Sequence, residues 1–279
     1  MTGQVRDIQQ QYWRHPQLPH FELRYSEHSL QPYKAHSHPE FCIGLITAGA
    51  TRLSLGGQRY LLQPGELVLI EPGLVHACNP LPDLPRSFFM LYIDAQWCLE
   101  RLSQQLGIPV LRFCCEPRVV RLAESEALFA RLAQQLQQHN VAEAGQTFTQ
   151  LSTSILCHSC LPAGGRVEPG LLAQRIRTRL LLDLAAPPSL AQLSEELGRS
   201  QEGIIRLFSQ HFGTSPKAFV TNARIERAKG YLRAGMAIVD VATQLGFADQ
   251  SQFHRAFVSH TAATPGQYQQ ARSIFDNTD

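Results

Sequence analysis

Two short segments carry side chains that can ligate a metal, hydrogen-bond a ligand or exchange protons: His36-Ser-His38-Pro-Glu40, and His76 in Pro72-Gly-Leu-Val-His76. Imidazoles and a carboxylate form a ligand set for zinc, iron or manganese. In a closed, mostly apolar pocket the same groups orient a polar organic molecule. Alternate side chains of a strand share a face, so His36, His38 and Glu40 are expected on one face, aimed into a barrel beside His76. Arg52, Arg59 and Tyr92 lie on neighbouring predicted strands and add donors. Three readings stay open: an effector pocket formed by His36, His38, Glu40, His76, Arg52 and Tyr92; a metal site at His36, His38 and His76; or residues that merely satisfy a barrel mouth. The effector pocket is the expected use, with no cofactor and no catalytic residue. A second cluster, Cys157-His-Ser-Cys160, has redox or metal spacing but no second pair to complete a zinc site. The seven cysteines sit mostly in apolar surroundings and read as small buried hydrophobes.

The elements that must position these groups change character along the chain. Residues 1–35 are polar and interrupted by proline, an arm with one short strand at 21–25. From there to Ile93, short apolar or alternating runs (41–47, 51–55, 58–61, 66–70, 88–93) are separated by Ala48-Gly49, Gly56-Gly57, Pro64-Gly65 and Pro72-Gly73. Such spacing is the signature of an all-β barrel or jelly roll. The segments from His36 to Gly49 and from Pro64 to Asn79 resemble the two motifs of the cupin superfamily. In metal-binding cupins that resemblance implies a glutamate four or five residues after the second histidine, where this chain has Cys42 and Ile43. The acidic ligand is absent or displaced to Glu40. Helical periodicity then begins at a capping Asp94 and continues through 117–139 and 141–157. Leu128, Leu132 and Leu136 are candidates for a dimer contact or for core packing. The Pro- and Gly-rich stretch 161–170 reads as a linker.

Beyond it, Gly246-Phe-Ala-Asp-Gln-Ser-Gln-Phe-His-Arg-Ala-Phe257 reads as a turn and an amphipathic helix. Asp249 is the N-cap and Gln252 its reciprocal capping-box partner. Phe253, Ala256 and Phe257 point inward, leaving Gln250, Ser251, Gln252, His254 and Arg255 on a face able to read base edges. The pattern repeats at about 49 residues, where internal repetition marks repeated architecture. Ser189 to Gly198 answers Ala237 to Gly246, Ile205-Arg206-Leu207-Phe208 answers His254 to Phe257, and Ser215-Pro216 answers Thr264-Pro265. In the first copy, Ser200, Gln201, Glu202 and Arg206 take the outward places, with Ser200 also suited to capping. An inward salt bridge is the rival role for Arg206 and Arg255.

These residues resemble the tandem helix-turn-helix domain of the AraC/XylS family of transcription regulators, from about Leu171 to Arg272. Three departures stand out: Ala237 replaces a capping serine, Gly203 interrupts the first recognition helix, and Thr261-Ala262 replaces the Phe212-Gly213 of the first repeat. The resemblance implies an α+β chain of two domains. A cupin-like β-barrel followed by helices (1–160) senses an effector, and an all-α domain with two helix-turn-helix units (171–272) binds operator DNA. A homodimer acting as an activator is expected.

At 279 residues there is room for two such domains. The net charge is only +2, yet residues 171–279 hold 12 Lys and Arg against 9 Asp and Glu, and residues 1–170 hold 13 against 14. The small basic excess lies in the half expected to meet phosphates. No apolar run is long enough to span a bilayer and no signal peptide is present, so a cytoplasmic protein without membrane partners is expected. Two rivals are a metal-dependent cupin enzyme with an accessory helical domain, weakened by the displaced glutamate, and a thiol redox-sensing regulator.

Overall fold

Strands buried on both faces read as unbroken apolar runs, and three such strands, Phe41–Ala48, Leu67–Ile70 and Arg86–Ile93, bind two layers together. A computed structural model describes residues 9–163 and 170–270. Their contacts define two units, one of residues up to Pro32 with His38 onward to 163, the other of Tyr33–Ser37 with residues 170–270.

In the first unit, β1 (Gln9–His15), β2 (Leu18–Ser29), β3 (Phe41–Ala48), β4 (Thr51–Leu55), β5 (Gln58–Leu62), β6 (Leu67–Ile70), β7 (His76–Pro80) and β8 (Arg86–Ile93) precede helix α1 (Ala95–Leu106). Then come β9 (Phe113–Cys115), β10 (Val119–Val120), α2 (Ser125–Gln137), α3 (Val141–Ser159) and β11 (Cys160–Pro162). One sheet runs β1-β2-β8-β3-β6-β10, a second β5-β4-β7, and β9 pairs with β11. Every strand pairing among the described residues is antiparallel. On the outer face of the large sheet, Ile43, Leu45, Leu69, Phe89 and Leu91 join Trp97 of α1, Phe129 and Leu132 of α2 and Phe148 of α3 in one core. The alternate residues Gly44, Ile46, Val68, Phe88 and Met90 face Thr51, Leu62 and Cys78 of the smaller sheet across a void of only about 10 Å³. Period-2 alternation thus sends half of each central strand to the helices and half to the barrel interior.

Several expectations change. The polar segment before residue 35 is a hairpin, with β2 paired to β8 over Phe21–Ser26. Its alternation of polar and aromatic residues is what an edge of a half-solvated sheet requires. The predicted helix 117–139 begins only at Ser125, because Val119 and Val120 close the edge of β6 as β10. Leu128, Leu132 and Leu136 are buried against the sheet and serve the core, not a dimer surface. Residues 161–162, expected in the linker, extend β11, and Ala163 N–H donates to Arg112 O at 2.9 Å. The rest of the expected linker to position 169, and Ala271 and Arg272, lie outside the described residues.

The second unit contains α4 (Leu171–Leu182), α5 (Leu190–Leu197), α6 (Gln201–Phe212), α7 (Pro216–Arg233), α8 (Ile238–Gln244), α9 (Gln250–Thr261) and α10 (Pro265–Gln270). Ile176, Leu180, Leu193, Ile204, Phe208 and Val220 form the core of the first repeat. In the second, Phe253, Phe257 and Tyr268 pack edge to face in sequence, with centroids 5.6 and 5.5 Å apart. Pro216 opens α7 after the Ser215 cap, as its fixed φ favours. No helix among the described residues is long and apolar enough to cross a membrane.

Candidate nucleic-acid interface and effector site

Each recognition helix begins with a side-chain cap that aims its outward residues. Ser200 Oγ accepts from Gly203 N–H at 3.1 Å at the start of α6, and Asp249 Oδ1 from Gln252 N–H at 2.6 Å at the start of α9. Gly203 does not interrupt α6; its N–H is the group the cap holds. The reciprocal bond at α9 differs from expectation by one residue, since Gln252 Oε1 accepts from Ala248 N–H at 2.8 Å and not from Asp249 N–H. At α5 both bonds of the Ser189–Gln192 capping box are present, whereas Ala237 leaves α8 without a side-chain cap.

The outward faces are as expected from the 3.6-residue period. Ser200, Gln201, Glu202 and Arg206 on or beside α6, and Gln250, Ser251, Gln252 and Arg255 on α9, are exposed, and His254 is half-exposed. Among the described residues Arg206 and Arg255 make no ion pair, so the inward salt bridge considered for them is absent. Where an arginine does brace the first repeat, it is Arg179 and Arg175 of α4 on Glu196 of α5, at 2.9 and 3.2 Å. Those contacts hold the Glu196 carboxyl below its ordinary pKa, the Arg179 hydrogen bond contributing most.

Sequence reasoning missed the residue that ties the two repeats together. Arg224 of α7 donates from Nε to Leu184 O at 2.7 Å and from Nη2 to Ala185 O at 3.3 Å, and lies over the Phe247 ring at 5.4 Å. It satisfies carbonyls beyond the end of α4 and presses on the second turn. Burial lowers its pKa from the ordinary arginine value. A cleft of about 390 Å³ beside it is lined in part by Pro187, Lys217, Phe247 and Gln252.

The segment Tyr33–Ser37 belongs by its contacts to this second unit. Lys34 N–H donates to Ser259 O at 3.0 Å, and Asn222 of α7 both accepts from Ser37 N–H and donates to Ser37 O. The His36 ring sits 6.3 Å from His260 at α9, and His36 Nδ1 lies 2.6 Å from Lys34 O. None of residues 36–40 lies in a strand, since β3 begins at Phe41, so shared strand parity cannot place His36, His38 and Glu40. The prolines at 32 and 39 remove donors that such a strand would need.

Within the barrel unit, His38 lies 5.2 Å from His76 and 5.3 Å edge-on to Tyr92. His76 Nδ1 is 2.9 Å from Leu74 O, which fixes the Nδ1–H tautomer and makes Nε2 the accepting nitrogen. Glu40 is half-buried just before β3. Arg52 and Arg59 are corrections: both are exposed, because Thr51, Leu53 and Leu55 take the inward positions of β4 and leave Arg52 outside, with Arg59 opposite Ser54. Two other arginines were missed. Arg86, 1% exposed, donates to Thr51 Oγ1 at 3.1 Å and Cys78 O at 2.7 Å and lies over Phe88. Arg24, 4% exposed, lies over both Phe88 and Tyr92, at 5.4 and 5.7 Å. Burial raises the Cys78 thiol pKa, while the charges of Arg86 and then Arg24 oppose that shift. The parity of Arg86 with Phe88 and Met90 was the available signal. Arg24, Tyr92, His38 and His76 therefore run contiguously as a polar wall.

Two family models match the chain: an AraC-like ligand binding domain over residues 18–155 and a helix-turn-helix domain over 193–271. An uncharacterized HTH-type transcriptional regulator, YbfI of Bacillus subtilis (strain 168), is 25% identical over 245 residues, 83% of this chain and 85% of that protein. The HTH-type transcriptional activator RhaR of Escherichia coli O139:H28 is 24% identical over 260 residues, 88% and 89% of the two chains. The RCS-specific activator RclR of Escherichia coli (strain K12) is 25% identical over 240 residues, 81% and 82%. In fold the chain is similar to ToxT from Vibrio cholerae O395, with a TM-score of 0.52, 13% identity and coverage of 96% and 98%.

Proposed function

Because the chain belongs to the AraC family of helix-turn-helix transcription regulators, we propose that α6 and α9 enter successive major grooves of one operator while the polar wall of the barrel senses a small polar molecule. One observation carries the DNA half of this reading: two capped helices in one bundle present exposed polar faces built from Gln201, Glu202, Arg206, Gln250, Ser251, Gln252, His254 and Arg255. Ser200 and Asp249 serve the caps and orient those faces. Helices set in adjacent major grooves require half-sites about 34 Å apart, one turn of the duplex.

The sensing half rests on His38, His76 and Tyr92, joined by Arg24. The void beside Arg86 holds about 10 Å³, room for roughly one water. An effector that meets this wall differently in two arrangements of its side chains favours the arrangement it binds better. The protein acts by binding alone, without a catalytic step, in the cytoplasm and as a homodimer. Its sensing domain runs through Pro162, where β11 ends, and its DNA-binding domain occupies 171–272.

Genomic fragments retained by the purified protein, footprinted at base resolution, test the docking. Protection of two major-groove segments one turn apart per chain is expected; protection of a single groove per chain would overturn it.

A further inference from the structure

The sequence draws attention to Cys157 and Cys160, but the fold pairs Cys160 with a different cysteine. On the two-stranded sheet Cys160 of β11 stands directly opposite Cys115 of β9, and their Sγ atoms are 3.3 Å apart. Both are buried, 4% and 3% exposed, in the core shared by the sheet and helices. Cys157 instead is exposed, its Sγ donating to Gln105 Oε1 at 2.8 Å. We propose that Cys115 and Cys160 form a redox-sensitive clamp, joined as a reversible disulfide by a two-electron oxidant of the peroxide class.

Directly opposed residues of an antiparallel pair have Cα atoms about 4.5 to 5.5 Å apart, inside the range of about 4.4 to 6.8 Å that a disulfide spans. The strands need not move. The sulfurs must close from 3.3 Å to a bond of about 2.05 Å, within reach of side-chain rotation. Two steps balance the chemistry. One sulfur attacks a peroxide oxygen; the S–O bond forms, the O–O bond breaks, and the thiol proton leaves with the departing hydroxide as water. The second sulfur then attacks the resulting sulfenic sulfur; the S–S bond forms, the S–OH bond breaks, and a second water carries away the second proton. Two electrons pass from the sulfur pair to the peroxide.

The surroundings set a high threshold. The hydrogen bond to Cys160, then burial, raise the Cys115 thiol pKa, and the Glu71 carboxylate, which accepts the Cys115 N–H at 3.0 Å, adds to that shift. A protonated thiol reacts slowly, so the pair stays reduced until oxidant is abundant. The clamp lies where its closure has reach along the chain. Ser159 O accepts from Glu116 N–H at 3.0 Å, and β11 ends at Pro162, just before the segment that leads to the helix-turn-helix unit.

The full chain carrying Cys157→Ser, which removes the competing exposed thiol, is treated with hydrogen peroxide, alkylated and mapped by peptide mass spectrometry, and the wild type is treated in parallel. The expected result in both is one peptide pair linking Cys115 to Cys160, opened by dithiothreitol. In the variant the titratable thiols fall by two. Quantitative alkylation of Cys115 and Cys160 as free thiols after exposed cysteines have been consumed overturns the proposal, as does a link from Cys160 to Cys157 or Cys98 in the wild type. Because the wild-type map stands alone, the conclusion does not depend on how well the variant folds.

Discussion

Gly246 approaches Ala185 so closely that a Cβ on the glycine would lie 2.0 Å from the Ala185 carbonyl oxygen. Its φ of 68° is also one that side chains with a Cβ adopt reluctantly. The turn of the second helix-turn-helix unit is thereby seated on the chain that leaves α4, where Arg224 satisfies the carbonyls of Leu184 and Ala185. A bundle fixed at this point sets the spacing of the recognition helices. Gly246→Ala is therefore expected to cost about 2 to 3 kcal/mol, the range of a strongly destabilising backbone substitution. Thermal unfolding should show the loss, and operator affinity should fall with it. A melting temperature equal to wild type would mean that the contact relaxes freely.

Arg206 and Arg255 occupy corresponding exposed places on α6 and α9, and their substitution distinguishes two kinds of contact. If each reads a base, Arg206→Ala and Arg255→Ala should each cost roughly 1 to 3 kcal/mol and relax the operator preference at one position. A phosphate contact should instead weaken all sequences evenly and reduce the salt slope of binding by about one. Salt titrations on matched and mismatched duplexes separate these outcomes. Unchanged affinity and slope would remove that arginine from the interface.

His260 is buried near the end of α9, and burial lowers its pKa below the ordinary histidine value; the Ala256 carbonyl and Glu226 oppose the shift, while Lys34 and Lys229 reinforce it. Its folded-state pKa is thus below that of the unfolded chain, about 6.5. Its favourable contribution is complete above that value and is lost as pH falls through the folded pKa, because only the unfolded state takes up the proton readily. The melting temperature of wild type should drop between pH 7.5 and 5.5 more steeply than that of His260→Gln. Parallel curves would show that other groups carry the acid limb.

How much was legible in the sequence depended on whether the signal was local. The caps at Ser189, Ser200, Ser215 and Asp249, the strands from Phe41 to Ile70 and the repeat of two helix-turn-helix units all arise within a few residues of the groups that specify them. The failures are of another kind. β10 exists because β6 needs an edge partner, and Val119-Val120 alone does not announce it. Arg24 and Arg86 enter the barrel by strand parity, while Arg52 on β4 has the opposite parity and stays outside. The departure at Ala262 was visible, but not its consequence: this residue takes the left-handed C-cap conformation, φ 56°, that Gly213 takes at φ 68° in the first repeat. Replacing Ala262 by Gly should relieve about 1 kcal/mol of strain, offset in part by the greater freedom of glycine in the unfolded chain.

The polar wall yields the sharpest separation of functions. His76 has Nδ1 committed to Leu74 O, and its ring adjoins His38, which lies edge-on to Tyr92. A side chain so placed orients a hydroxyl or amide of an effector, and it stands on a different element from every residue proposed to meet DNA. His76→Ala should leave operator affinity unchanged while abolishing the change in affinity caused by the cognate molecule, because allosteric coupling requires only that the effector bind two conformations unequally. Elemental analysis of the purified protein is expected to show far less than one equivalent of zinc, iron or manganese, and a chelator should leave its melting temperature unmoved. Were a bound metal holding the fold at 100 times its dissociation constant, its removal would cost about 2.7 kcal/mol and the chelator would lower the melting temperature visibly. A normal effector response in the His76→Ala protein would place sensing away from this wall.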